Sequence, residues 1–377
     1  MNLLYISFGY VNYKNKVNAQ TAAFKELGLD CYLIAIDQEE KQRYICFYKM
    51  NQSGLELIER KNIPFLTISN FFQYKKEIHT FFKEILSKYT FDYCYIRRLV
   101  FDLVIMSKTI RYMSKNTKIL YEWPTVPLDR YAAWIKNFAQ KLEVLYYKVF
   151  VKKAVYKEIV ILQNDIKQSE KVYPISNCID IQKFQLHEKK PIIGYTIHFV
   201  GIAHLMNWHG YDRFIKSMKE YKGDTKITFT IISQDTEENV KIKKLVKEYQ
   251  LEDQVIFKDR CTFEELDSLI DDYHIAIGGL AYHRRGAKYD TSIKNKEYCA
   301  WGIPFVCACI DRSFPDDFKY LYKVSADESI IDIESVINWY KKVYDRDYRT
   351  EMYNYAKGHL NFAKEYKKLF EDQRTGE

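Results

Sequence analysis

Short apolar runs recur along this chain at spacings filled by stretches of helical periodicity, and the pattern occurs twice. In the first half LLYISF (3–8), CYLIAI (31–36), IPFLTI (63–68), DYCYIR (92–97), TKILYE (117–122) and EIVIL (158–162) read as strands, with helical segments at 14–28, 70–88 and 130–157. This is the signature of a parallel sheet with crossover helices. Around 181–192 the periodicity lapses and the chain turns polar. It restarts with IIGYTIHFVG (192–201), and strands follow at 226–232, 254–258, 274–279 and 304–310, with helices near 210–222, 236–249, 263–272 and 292–301. The expectation is α/β, with two doubly wound domains, 1–185 and 186–350. Two charged helices, 332–344 and 348–370, come last, and the segment 351–377 is expected to return toward the first domain. Only the tail DQRTGE reads as disordered.

A chain of 377 residues and 45.2 kDa exceeds what one hydrophobic core usually supports. It has no run of about 18 uncharged apolar residues, and Met1 leads straight into a strand without a basic n-region, so a cytoplasmic protein is expected. The eight cysteines show no CxxC pair and no ligand spacing with histidine, which predicts reduced apolar side chains and no structural zinc. The formal net charge of +8 suits an anionic partner without naming it.

Ligands of open α/β sheets bind at the carboxyl ends of strands, where loops enter helix N-termini. Three such junctions stand out. After the first strand comes Ser7-Phe-Gly-Tyr-Val-Asn-Tyr-Lys-Asn-Lys16, where Gly9 permits close backbone approach and Asn15 and Lys16 add polar groups. After the strand ending at Gly201 comes His204 to Arg213, where Gly210 bares the start of a helix and His209 and Arg213 bring donors to it. There, His209 and Asp212 acting only as helix caps are an equal alternative. The third junction runs from Gly278 through Arg284, Arg285 and Lys288 to Asp290, then into a short helix beginning near Ser292 and Ile293. Thr291 or Ser292 is expected to cap that helix, and Gly302 with Pro304 ends it. Lys294, Glu297 and Tyr298 fall on one side of it, near its positively polarised end. An anion site is favoured over a solvated basic loop.

These segments resemble a known family. Glu297-Tyr-Cys-Ala-Trp-Gly-Ile-Pro-Phe-Val306 is similar to the E-[AY]-x-A-x-G-x-P-V segment of GT-B glycosyltransferases of the family 4 type, and Ser292-Ile-Lys294 to the S-x-L-K variant of polysaccharide-assembly members. FVGIAHLMNWHGYDRFI (199–215) sits where that family has its diphosphate loop and "KG" helix. NCID (177–180) with Phe184 resembles the close of the first domain, and YEWPTVPLDRY (121–131) the E-x-P-T-x-P stretch of capsule enzymes.

The resemblance implies a GT-B fold, two Rossmann-like domains facing a cleft, and a retaining transfer from a nucleotide-diphosphate sugar to a glycan or lipid-linked glycan. Donor contacts would come from the second domain, with Lys294, Glu297 and His209 in catalysis. Gly9, Gly201, Gly210, Arg213, Arg284, Arg285, Lys288, Asp290, Ser292, Ile293 and Tyr298 would bind the donor, and Glu122, Asn15 and Lys16 the acceptor. No metal and no cofactor beyond the donor are expected, and no nucleic acid. The chain departs from the family at Ile202, where many members carry Arg, at His209 in place of Lys, at Tyr289 in place of the first acid of E-x7-E, and at Cys178 in place of Gly. A non-catalytic glycosyltransferase-like subunit is therefore the alternative.

Two readings remain open within the first domain. Glu122 either meets acceptor hydroxyls or is a loop carboxylate paired with Arg97 or Arg130. The helix Trp134 to Tyr156 interleaves Phe138, Tyr146, Tyr147 and Phe150 with Lys136, Lys141, Lys148, Lys152, Lys153 and Lys157. It suits either an anionic membrane surface or an ordinary crossover. Asp345-Arg-Asp347 is a turn between helices, with no role in metal binding.

Overall fold

The computed structural model describes residues 1–39, 41–67, 69–99, 102–126, 134–162 and 169–371. The tail 372–377 lies outside them, as do Pro127 to Tyr131 of the proline-bearing stretch, Arg130 included, and the side chains of Trp134 and Lys136. The chain divides into two compact units, 1–175 with 362–377, and 176–361.

The first unit is built on β1 (Asn2–Ser7), β2 (Asp30–Glu39), β3 (Gln42–Asn51), β4 (Gly54–Ile63), β5 (Tyr93–Arg97), β6 (Lys118–Val126), β7 (Lys157–Leu162) and β8 (Val172–Ile175). They form one sheet in the order β4-β3-β2-β1-β5-β6-β7-β8. From β2 through β1 to β8 the pairing is parallel, with α1 (Tyr10–Glu26), α2 (Phe71–Lys88), α3 (Asp102–Met113) and α4 (Trp134–Tyr146) among the connections. Helix α2 shows why: Tyr74, Ile78, Phe81, Phe82 and Ile85 form an apolar stripe that is fully buried. Each such side chain contributes about 1.5–3 kcal/mol.

The sheet is mixed, where an all-parallel one was expected. β3 and β4 extend it as an antiparallel hairpin, turned at Gly54 with φ +119°. The strand expected at 63–68 is not formed over the described residues: β4 ends at Ile63, because Pro64 has no N–H for a ladder. β4 itself escaped notice because Glu56, Glu59, Arg60 and Lys61 give it the charged look of an edge strand.

The second unit holds β9 (Thr196–Ile202), β10 (Lys226–Ile232), β11 (Val255–Lys258), β12 (Ile275–Ile277), β13 (Phe305–Cys307) and β14 (Leu321–Lys323), all parallel. Their order is β11-β10-β9-β12-β13-β14, the doubly wound arrangement. Both faces are covered, as alternation shows: Ile275 and Ile277 pack into one cluster and Ala276 into the other. The helices are α5 (Tyr211–Glu220), α6 (Glu237–Glu248), α7 (Phe263–Leu269), α8 (Ile293–Ala300), α9 (Ile333–Tyr344) and α10 (Tyr348–His359).

The long last helix expected at 348–370 is two helices. It breaks where Ile179 N–H donates to Leu360 O and bridges Asn361, just after the weak helix former Gly358. α11 (Phe362–Glu371) then belongs to the first unit, stacking Tyr366 on Phe24 of α1 with ring centroids 4.7 Å apart.

Candidate functional site

In the second sheet β9 and β12 are neighbours, while the chain winds away from β9 in one direction and from β12 in the other. At such a switch point the loops that follow the two strands splay apart and leave room for a ligand. Here the loops are laced together: Leu280 N–H donates to His209 O and Ala281 N–H to Trp208 O. Gly210 (φ +68°) makes that approach possible, since a Cβ there would lie 2.8 Å from Ala281 Cβ.

Beyond the second loop stands α8. Its expected caps are diverted: no side chain caps the helix, and Thr291 Oγ1 instead accepts the Asn177 N–H at 2.7 Å while Asn177 Nδ2 donates to Thr291 O. The NCID segment thus holds the start of α8 from one side and leaves its first-turn N–H groups without a side-chain acceptor. A helix start in this condition favours an anion.

The charges around it are unusual in having so few partners. Lys294 is buried (9% exposed), its Nζ makes no hydrogen bond, and burial pulls its ammonium down to about 8. It sits 5.6 Å from the centroid of the Tyr211 ring. Arg285 lies over the rings of Tyr282 (4.8 Å) and Trp208 (5.5 Å), reaches Asp290 Oδ1 at 3.6 Å and leaves Nε unpaired. Burial raises the Asp290 carboxyl, whose Oδ2 has no partner.

His209 is neutral. Burial first, then the charges of Lys294 and Arg285, push it down to about 2, and its Nδ1 accepts the Met206 N–H at 3.1 Å. The proton is therefore on Nε2, the one nitrogen left to donate. As a substitute for the family's lysine it offers a hydrogen bond and no charge. Glu297 is half-buried without a partner among the described residues, and desolvation pushes its carboxyl up to about 7. Lys294 and Glu297 share a helix side without forming an ion pair.

Several expected donor ligands have other work. Arg213 is 1% exposed, and its guanidinium donates to Leu280 O, Ser325 O and Ser329 O, which fixes the loops instead of meeting a phosphate. Arg284 is saturated by Asp212 and Glu328 and donates to Asn207 O as well. That ion pairing also removes Asp212 from any capping role. Tyr298 points down into the sheet, accepting the Ile202 N–H and donating to Ile277 O. Gly201 makes room for the Tyr211 ring, whose atoms would lie 2.6 Å from a Cβ. Lys288 and Ile293 are exposed, and Ser292 is half-buried at the start of α8.

In the first unit Glu122 follows the second of its two expected readings, the pair with Arg97. Glu122 is fully buried on β6 and accepts hydrogen bonds from Tyr95 OH (2.7 Å), Gln20 Nε2 (2.9 Å) and the Arg97 guanidinium, with Lys16 Nζ 3.6 Å away. These contacts hold its carboxyl down at about 2. It is a scaffold carboxylate, with Lys16 as one of its counter-ions. Asn15 is exposed, and a Cβ added at Gly9 would meet the Tyr13 ring at 3.5 Å, an ordinary contact.

Sequence reasoning missed three residues here. Asn295 is 0% exposed with both amide atoms unpaired, facing Gly278, whose Cβ position lies 2.7 Å from Asn295 Oδ1. Lys296 and Asp311 form a wholly buried pair at 2.8 Å, anchoring α8 to the end of β13. Fifteen residues separate them, and no local pattern announces the pair.

No protein-family model matches the chain, and neither does any curated protein sequence. Solved structures do. A glycosyltransferase from Rickettsia africae superposes with a TM-score of 0.68 at 11% identity, over 100% of this chain and 99% of its own. The chain has the GT-B fold. The catalytic domain of starch synthase IV from Arabidopsis thaliana, bound to ADP and acarbose, gives 0.64 at 9% identity over 98% of both chains. Anabaena HepE, in complex with UDP and glucose, gives 0.59 at 12% identity over the whole of both. At such identities the GT-B likeness speaks for architecture, and the site has to speak for itself.

Proposed function

We propose that the protein is a retaining glycosyltransferase that moves a sugar from a nucleotide-diphosphate donor to a glycan or lipid-linked glycan in cell-surface polysaccharide assembly. The observation that carries this reading is the unpartnered Lys294 ammonium at the bared start of α8, with Arg285 beside it. A buried cation without an anion is costly unless a ligand supplies one. A diphosphate supplies it, and GT-B structures that superpose on this chain hold UDP or ADP.

In this reading the residues act by binding and stabilising charge. As the glycosidic bond to the β-phosphate breaks, negative charge grows on the leaving oxygens, and Lys294, Arg285 and the α8 N–H groups are preorganised to meet it. His209 donates from Nε2, and Glu297 accepts from a hydroxyl of the donor. Asp290 orients Arg285. No metal is required for these steps. The acceptor would be taken up at the cytoplasmic face of an anionic membrane, with the protein attached peripherally. No helix among the described residues is long and apolar enough to cross one.

The test is a thermal-shift series with UDP, ADP, GDP, CDP and their sugars, with magnesium and with EDTA. Stabilisation by one diphosphate, unchanged by EDTA and lost in Lys294→Ala, is the expected result. One observation favours the alternative, a glycosyltransferase-like subunit without catalysis: Ile202 and the neutral His209 stand where the family's cation clamp would be. That alternative predicts no shift with any of them and no turnover.

A further inference from the structure

Helix α4 and the turns that follow it carry an apolar ridge on their outer side. Phe138, Leu142, Leu145 and Val149 are 54, 50, 58 and 57% exposed. Their spacing of four, three and four residues puts them on one narrow stripe. Beyond α4 the chain continues through a π-helical turn (Tyr147–Val151) and a 3-10 turn (Lys152–Ala154), where Tyr147 turns inward and Phe150 stays outside. A crossover helix normally shows its polar side to water, so this ridge lacks an occupant.

The charge pattern says what kind. Residues 134–157 contain six lysines and a single acid, Glu143. Glu143 is turned inward and bound by the Arg98 guanidinium, at 2.9 and 2.5 Å. The nearby Glu158 is likewise occupied, by Tyr147 OH and Trp123 Nε1 and by Lys152 Nζ at 3.6 Å. The ridge is therefore flanked by Lys141, Lys148, Lys152 and Lys153, all exposed, with no exposed acid of its own. At its far end a concavity of about 630 Å³ continues the positive charge through Lys118, Lys157 and Lys171, with Glu170 its single acid.

We infer that this ridge docks on an anionic lipid bilayer, the four apolar side chains entering the acyl boundary and the lysines meeting lipid phosphates. The inference deepens the membrane-side reading proposed above and rests on it, while its test is independent of sugar transfer. A second copy of this chain is a poorer occupant, because a symmetric contact would set lysines against lysines. An interfacial helix needs an apolar stripe, basic flanks and no acid between them, all of which are present.

The experiment is sedimentation of the full chain with phosphatidylcholine vesicles, with and without phosphatidylglycerol, at low and high salt. Wild type is expected on the anionic vesicles only, less so at high salt. Leu145→Asp should lower the partition more than tenfold, and Lys148→Ala and Lys153→Ala about fivefold each, since each lysine near an anionic surface adds about 1 kcal/mol. All these side chains are exposed, so melting midpoints and nucleotide shifts should match wild type. Phe138→Trp should show a blue-shifted emission on anionic vesicles.

Wild type that stays in the supernatant, or Leu145→Asp that sediments as well as wild type, overturns the inference. So does a dimer that Leu145→Asp dissociates in the absence of vesicle binding, which would name the second copy as the occupant. Failure of every nucleotide shift beside intact vesicle binding would overturn the transfer reading and leave the docking surface standing.

Discussion

The protein buries charge in two places, and the two are opposites. In the first unit Glu122 is surrounded by Tyr95, Gln20, Arg97 and Lys16, and Tyr366 of α11 closes the network by accepting from Gln20 Nε2 at 2.5 Å. In the second unit Lys294, Asp290 and Asn295 are buried with polar atoms that make no hydrogen bond, and Glu297 stands half-buried on the same helix as Lys294. Satisfied charge holds a fold together, and its pKa moves toward the charged form. Unsatisfied charge weakens a fold and its pKa moves toward the neutral form, and in the proposed reading a ligand completes it.

The strongest attempt to break this contrast is Glu122→Ala. It would strand Arg97 and Lys16 in the core and should cost about 3–5 kcal/mol of stability, read from denaturant unfolding. A loss below 1 kcal/mol would mean that the network is dispensable. Next comes Lys294→Ala, which removes a cation that makes no hydrogen bond or ion pair among the described residues. Turnover should fall about 10²–10³-fold while the melting midpoint holds or rises. The reverse outcome, lower stability with turnover retained, would make Lys294 part of the scaffold and erase the distinction.

The pH dependence sharpens the comparison, because the glutamates of the two regions respond with opposite sign. Glu122 is held down at about 2 from an ordinary 4.5, so its stabilisation is full above pH 4.5 and is lost as pH falls toward 2. Glu297 is raised from 4.5 to about 7, so the folded state holds its proton more tightly. Stability is then full below pH 4.5 and declines as pH rises toward 7. Lys294, lowered from 10.5 to about 8, gives stability back between pH 8 and 10.5. Glu297→Gln should abolish the decline between 4.5 and 7, an effect of roughly 1–3 kcal/mol, without touching the acid limb. A variant that melts with the wild-type profile throughout would show that Glu297 is not desolvated. The smallest effect belongs to Lys288→Ala, an exposed position where stability should change by less than about 0.5 kcal/mol and donor binding by less than about threefold.

Which residues would be neighbours could be read only where the neighbours are close in sequence. Gly302 and Pro304 end α8 as their chemistry requires, and five of the six strands of the second unit follow from their apolar runs with ends shifted by a few residues, while the three-residue β14 is too short to show such a run. Of the β3–β4 hairpin, β4 was illegible because an edge strand needs no apolar run, while β3 does carry one in Tyr44 to Tyr48; the final helix looked continuous because the Ile179–Asn361 bridge that breaks it joins residues far apart. At the proposed site, the sequence pointed to loops that the second sheet brings together but offered no means of ranking their cations. Arg213, Arg284 and Arg285 look alike in a string of letters. Only the third is left with a free donor, because Ser325 and Glu328, which help to occupy the other two, arrive from a segment well outside either loop, and Asp212 reaches Arg284 from the other loop.

The sequence by itself determined the α/β architecture, through apolar runs whose period and spacing admit little else. It also determined the places where loops meet helix starts. What only the tertiary structure decided is which of the polar groups at those places are paired. Pairing depends on contacts between segments remote along the chain, and it separates Glu122, a carboxylate that holds its unit together, from Lys294, a cation that awaits an anion.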